Sequence, residues 1–264
     1  MTNKLPFPTA RLNDGQKRTI LFDAFKCIGC RQCVEGCKDW NNLPRGNSFA
    51  LSPSTWITIE PPISDYVSEY WGRNSCRHCD YPMCATVCPV EAITKYDEGP
   101  VVINHEVCIR CQYCMYACPW GVVSLHDTNG KAVKCTMCVD RLAEDLEPFC
   151  VHMCPVGALE FGPRTEMEAK VEARAMETKG HIHGKQEAGG TQVLYLLSDG
   201  LESHGLRQVG REKYPVAPIP LGLKLKGPFT MSAGFIGKLR AIKSAMFHPG
   251  RLKYRYWPWR RPEA

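Results

Sequence analysis

Cys108-Ile109-Arg110-Cys111-Gln112-Tyr113-Cys114-Met115-Tyr116-Ala117-Cys118-Pro119 spaces four cysteines by two, two and three residues and follows the last with proline. Outward from it the same arithmetic recurs. Cys27, Cys30, Cys33 and Cys37 repeat the gaps, with Lys38 in the proline's place. Cys76, Cys79, Cys84 and Cys88, closed by Pro89, widen the second gap to four, and Cys135, Cys138, Cys150 and Cys154, closed by Pro155, widen it to eleven. The four groups use all sixteen cysteines of the 264-residue chain. Such a density calls for cross-links or metal.

Disulfide frameworks belong to small secreted chains that lack a core. Here 264 residues with 44% hydrophobic content suffice to bury one. Met1 to Ile20 holds no apolar run, being broken by Lys4, Arg11, Asp14, Lys17 and Arg18, so neither a secretory nor a twin-arginine signal is expected. Structural zinc usually draws on two separated Cys-x2-Cys units, and a third cysteine within seven residues is redundant at a tetrahedral ion. An iron-sulfur cube does use it: two-residue gaps bend a short loop around one corner, offering three thiolates and several backbone N–H groups to an anionic cluster. The fourth cysteine lies beyond that reach and is free for a neighbouring cluster, as in the bacterial ferredoxin run that ends in Cys-Pro.

Between the groups lie hairpin signals: Ala92 to Tyr96 turning at Asp97-Glu98-Gly99 into Val101 to Asn104, and Val122 to His126 turning at Asn129-Gly130 into Lys131 to Lys134. Further strands are expected at Thr19 to Phe25, Thr55 to Glu60 and Ala158 to Phe161, and a polar helix at Glu166 to Glu177 with Met167, Val171, Ala175 and Met176 as its apolar face. The predicted fold is α+β, two nested bacterial-ferredoxin-like units with short hairpins and helices. Residues 75–128, with groups two and three, form a unit inserted into an outer one made of 1–74 and 129–165, with groups one and four. A cysteine-free extension follows over 166–264.

The order of the groups and the long gap in the fourth resemble the iron-sulfur subunit of the dimethyl sulfoxide reductase family of molybdenum or tungsten enzymes. Two smaller segments, Gly189-Gly190-Thr191-Gln192-Val193-Leu194-Tyr195 and Cys37-Lys38-Asp39-Trp40-Asn41-Asn42, are similar to beta subunits of formate dehydrogenase and hydrogenase-linked enzymes. The resemblance implies four 4Fe-4S clusters. Cys27, Cys30, Cys33 and Cys154 would hold the one nearest the pterin-bearing catalytic subunit, and Cys37, Cys135, Cys138 and Cys150 the next. Cys76, Cys79, Cys84 and Cys118 would hold the third, and Cys88, Cys108, Cys111 and Cys114 the last, nearest a membrane subunit or other acceptor. Some relatives replace a third-group cysteine with Trp, but Cys111 is present, so four cubanes are expected. The subunit would conduct electrons and catalyse nothing, with formate the favoured substrate of its partner and polysulfide, thiosulfate, sulfoxide or hydrogenase chemistry the alternatives. A free polyferredoxin is the competing class.

Several side chains carry two readings. Lys38, Arg77, Arg110 and Lys134 adjoin ligands and either place positive charge beside a cluster or are solvated. Trp40 and Trp120 either shield clusters or are core. His181-Ile182-His183 reads as loop, and His78 and His152 sit inside groups whose thiol count is already complete.

No uncharged apolar stretch approaches the ~18 residues of a membrane-spanning helix. Val193–Leu197 and Pro228–Gly237 are too short. The net charge of +6 is a tail property, since Lys238 to Ala264 holds eight Lys or Arg against one Glu. Met231 to Phe247 reads as a basic amphipathic helix. Tyr254, Tyr256, Trp257 and Trp259, interleaved with Arg and Lys, suit a partner subunit or a lipid headgroup surface better than nucleic acid, against a solvated tail as the bland alternative. A membrane-associated complex is expected, with either side of the membrane compatible.

Overall fold

The computed structural model describes residues 14–46, 49–62, 69–201, 204 and 206. The basic helix and aromatic tail lie outside the described residues.

The chain opens with strand β1 (Arg18–Asp23) and helix α1 (Gln32–Trp40), followed by β2 (Ile57–Glu60) and β3 (Gly72–Ser75), an antiparallel pair. The middle holds α2 (Met83–Thr86), the hairpin β4 (Ile93–Lys95) and β5 (Val101–Ile103), α3 (Tyr113–Ala117), and the hairpin β6 (Ser124–Leu125) and β7 (Ala132–Val133). Then come α4 (Val139–Leu142), α5 (Phe149–His152), β8 (Leu159–Pro163), α6 (Arg164–Thr178), β9 (His181–His183) and β10 (Val193–Leu197).

The largest sheet has the order β8-β1-β10-β9. β1 pairs antiparallel with β8 and parallel with β10, so segments far apart in sequence meet beside the first cysteine group. Alternation decides its two faces. Ile20, Phe22, Val193, Tyr195 and Leu197 pack into the main core among the cysteines, while Leu21, Leu194 and Leu196 face Met167 and Val171 of α6. Val193–Leu197 is therefore buried throughout, which explains an unbroken apolar run that is a strand with both faces covered.

The expected hairpins form at both sites with shorter strands than predicted. The other expected strands appear as β1, β2 and β8, and the polar helix as α6. Met167, Val171 and Ala175 pack inward as expected, but Met176 is 78% exposed and does not belong to the apolar face. His181-Ile182-His183 is not loop: it pairs as β9 with β10, and His183 Nδ1 lies 3.1 Å from Glu187 Oε1.

Two helix pairs repeat one design. α1, carrying Cys33 and Cys37, packs on α5, which carries Cys150; α2, carrying Cys84, packs on α3, which carries Cys114. α3 stops before Cys118, whose extended backbone (ψ 116°) is the conformation a following proline imposes. With Lys38 where the other groups have proline, α1 instead runs three residues past Cys37 to Trp40.

Candidate metal centres

The loop that opens each group is built one way. The residue before the second cysteine is left-handed in all four: Gly29 (φ 70°), His78 (47°), Arg110 (64°) and Met137 (60°). In the two Cys-x2-Cys-x2-Cys loops the residue after the second cysteine is left-handed as well, Arg31 at 61° and Gln112 at 66°. Alternating right- and left-handed residues turn successive N–H groups toward one side, the geometry of an anion nest. L-residues resist this conformation by about 1–2 kcal/mol each, so it persists where the surroundings impose it. The exit is equally regular, with the N–H groups of Glu91, Gly121 and Gly157 donating to the carbonyls of Cys88, Cys118 and Cys154 across each Cys-Pro turn.

The thiols expected to share clusters act on one another. Cys27 is influenced by Cys154 and Cys30, and Cys33 by Cys150, Cys27 and Cys154. Cys37 is influenced by Cys135, Cys138 and Cys150, and the last three also line, with Cys37, a small hollow walled by Ile20, Trp56 and Pro148. Cys84 is influenced by Cys76, Cys118 and Cys79. Cys114 is influenced by Cys111, Cys88 and Cys108, and these four line a second small hollow between Ile93, Ile103 and Leu125.

Some of these influences run between the expected sets. Cys33 of the first feels Cys150 of the second, and Cys135 of the second feels Cys76 of the third. Cys84 and Cys118 of the third share one apolar cluster with Cys88 and Cys114 of the fourth. The second set is wholly buried, whereas Cys30 of the first is exposed and Cys88, Cys108 and Cys111 of the fourth are half-buried.

Burial pushes the Cys33 thiol up to about 12 and the Cys135 thiol to about 11, and raises Cys37, with neighbouring thiols adding to it. Left to themselves these groups stay neutral. Yet cations are buried among them, Arg73 (0% exposed), Arg77 (1%) and Lys134 (4%) with Lys38 and Arg141 close by. Burial opposes the charge on Arg73 and Lys134, but Cys150, Cys135 and Cys33 outweigh it for Arg73, and Cys76, Cys84 and Cys135 for Lys134. Buried cations need anions, and metal-bound thiolates supply them. Cluster-type chemistry fits this donor set better than single ions. The donors are cysteines throughout, and a cubane spreads four thiolates over four irons.

Sulfur hydrogen bonds complete the sites. Ala92 N–H donates to Cys88 Sγ at 3.2 Å, Met137 N–H to Cys135 Sγ at 3.4 Å, and Trp120 Nε1–H to Cys79 Sγ at 3.3 Å. Trp120 is buried and holds the Arg77 guanidinium 3.7 Å above its ring, but Trp40 is 36% exposed, stacked on Phe149 and donating to Asp140. Of the four cations adjoining ligands, Lys38, Arg77 and Lys134 are buried, and Arg110 is exposed. His78 is buried, its Nδ1 accepting the Val101 N–H at 2.9 Å, and burial pushes its pKa down so that it stays neutral. His152 faces solvent beside Glu147.

Sequence reasoning missed Arg73, which adjoins no cysteine and reaches the site only through the pairing of β3 with β2. The Gly189–Gln192 segment is a platform beneath the second loop. Gly190 O accepts the Asp80 N–H at 2.9 Å, Gln192 N–H donates to Arg77 O at 3.0 Å, and a side chain on Gly190 (φ 104°) would meet the Asp80 carboxylate. Asp80 in turn receives Gln192 Nε2 at 2.6 Å and Arg164 Nη1 at 3.3 Å.

Known proteins share this pattern. Two family profiles described as a 4Fe-4S dicluster domain match residues 67–164 and 26–92. The formate dehydrogenase-O iron-sulfur subunit of Escherichia coli is 35% identical over 217 residues, covering 74% of this chain and 72% of its own. The nitrate-inducible formate dehydrogenase iron-sulfur subunit of the same organism is 34% identical over 216 residues, covering 74% and 73%. A subunit of its anaerobic dimethyl sulfoxide reductase is 39% identical over 155 residues, covering 57% and 76%. With dicluster domains over its cysteine groups and relatives of this extent, the chain belongs to the family of 4Fe-4S electron-transfer subunits that serve formate dehydrogenase and dimethyl sulfoxide reductase type enzymes.

Proposed function

We propose that the chain carries four 4Fe-4S clusters in a line and passes electrons between a molybdenum- or tungsten-bis-pterin catalytic subunit and a membrane quinone-reactive subunit or other redox partner. The observation that supports it most is that thiols of different groups act on one another across the chain, those expected to form the second set being wholly buried and Cys30 of the first exposed. Clusters of this kind take up and release electrons at potentials that their surroundings tune. The chain's residues hold them in order, exclude water and set the local charge.

Cys27, Cys30, Cys33 and Cys154 hold the first cluster, and Cys37, Cys135, Cys138 and Cys150 the second. Cys76, Cys79, Cys84 and Cys118 hold the third, and Cys88, Cys108, Cys111 and Cys114 the fourth. Each fourth ligand comes from the partner group, which is what the paired helices α1 with α5 and α2 with α3 favour. On this reading residues 75–128 form a unit inserted between 1–74 and 129–165; within the extension over 166–264, α6, β9 and β10 complete the main sheet, and docking falls to the remainder, the basic tail contacting a partner subunit or lipid headgroups. Among the described residues no helix is long and apolar enough to cross a membrane, and the reading assigns the membrane anchor to another subunit.

Formate is the favoured substrate of the partner, because likeness to the formate dehydrogenase subunits covers 74% of the chain and likeness to the sulfoxide reductase subunit 57%. Anaerobic purification of the native complex tests the proposal. A co-purifying large subunit containing molybdenum or tungsten, and cluster reduction by formate, are expected. A chain recovered alone, with neither metal in its preparation, contradicts it.

A further inference from the structure

The buried cations are not distributed evenly. Arg73, on β3, donates from Nη1 to Ser75 Oγ at 2.7 Å and points Nη2 at Cys150 Sγ at 3.8 Å, and its buried Nε has no partner. Lys134, just past β7, donates Nζ to the carbonyls of Val101 and Cys135. Among the described residues neither forms an ion pair with a carboxylate, although a buried charge without a counter-charge is strongly destabilising. The ionisable groups that act on Arg73 include Cys33 of the first set and Cys135 and Cys150 of the second; those that act on Lys134 are Cys135 of the second set and Cys76 and Cys84 of the third. Arg77 differs, being wedged between the Trp120 and Tyr195 rings with Cys79 and Cys118 of the third set as its thiol neighbours.

Resting on the ligand sets above, we propose that Arg73 and Lys134 are shared counter-charges: Arg73 lies between the first and second clusters, Lys134 between the second and third, and each sets the potentials of the two it separates. Four thiolates make each cluster a net anion, and reduction adds a further negative charge. A fixed cation in a low-dielectric interior stabilises the reduced form more than the oxidised one and raises the potential. The second cluster feels both cations and the fourth feels neither. The proposal concerns positioning of charge, not ligation.

The test is a potentiometric titration of the intact complex followed by electron paramagnetic resonance, comparing Arg73→Gln and Lys134→Met with the charge-retaining Arg73→Lys and Lys134→Arg. Arg73→Gln is expected to lower the potentials of the first and second clusters, and Lys134→Met those of the second and third. The reduced-to-oxidised ratio at a fixed potential should fall about tenfold, a shift of about 59 mV for one electron. The second cluster moves in both neutral variants, the fourth in neither, and the charge-retaining variants restore the parent potentials. Iron loss confined to the neutral variants also supports the proposal, because it shows that the cation holds the anionic cluster in place. Unmoved potentials with iron intact, equal shifts of all four clusters, or equal defects in neutral and charge-retaining variants overturn it. A parent protein with fewer than four clusters instead refutes the ligand sets and leaves a different signature, since the deficit precedes any substitution.

Discussion

At the residue scale the decisive fact is that thiols whose burial favours the neutral form surround Arg73, which cannot be neutral, and Lys134, whose charge those same thiols favour. This conflict disappears when the thiols become metal-bound thiolates, and it has a pH signature. A thiol raised by burial stabilises the folded chain fully below its unfolded value of about 8.5, and that contribution is lost as pH rises through the folded value. With Cys33 held up to about 12 and Cys135 to about 11, the iron-free chain is predicted to lose stability from roughly pH 8.5 upward. In the loaded chain the protons have already left on cluster assembly, and this alkaline loss is absent. Circular dichroism of both forms over that range checks it, and parallel curves would contradict it. Most residues at this scale were legible in the sequence, because cysteine spacing states its own geometry. Arg73 was not, since its place depends on a strand pairing and not on proximity in the chain.

At the element scale the cluster loops depend on backbone conformation more than on composition. One position recurs, the residue before the second cysteine, and only the first loop fills it with glycine. Gly29 also lies against the Trp71 indole, where an added Cβ would fall within the ring. Gly29→Ala is therefore predicted to cost about 1–3 kcal/mol through strain and overpacking. It should appear as a lower urea midpoint for loss of visible absorbance, while Arg110→Gly at the same position of the third loop causes no such loss. Equal behaviour of the two would argue against a common nest geometry. Hairpins marked by Asp97-Glu98-Gly99 and Asn129-Gly130 could be read directly, because turn chemistry is local. β3, β9 and β10 could not. The stretch Gly72–Ser75 has little strand character of its own and pairs because Ile57–Glu60 lies opposite, and the uniform burial of Val193–Leu197 removes the alternation by which a strand is recognised.

At the scale of the whole molecule, the organisation of the described residues is a path. A four-stranded sheet ties the first group to segments more than 100 residues away, α6 seals its far side, and the proposed sets run from the exposed Cys30 through the wholly buried Cys37, Cys135, Cys138 and Cys150 toward the half-buried Cys88, Cys108 and Cys111. The grouping of cysteines into four was legible in the sequence, as was the membership of the iron-sulfur subunit family. The weaving of β10 beside β1 was not, because parallel pairing across so long a separation leaves no local mark. The central claim is tested most directly by counting iron and acid-labile sulfide per chain in anaerobically purified protein, with spin quantitation after stepwise reduction. About sixteen irons and four reducible paramagnetic centres are predicted, at four irons per cubane; about eight irons or fewer, or no reducible centre, would contradict the account.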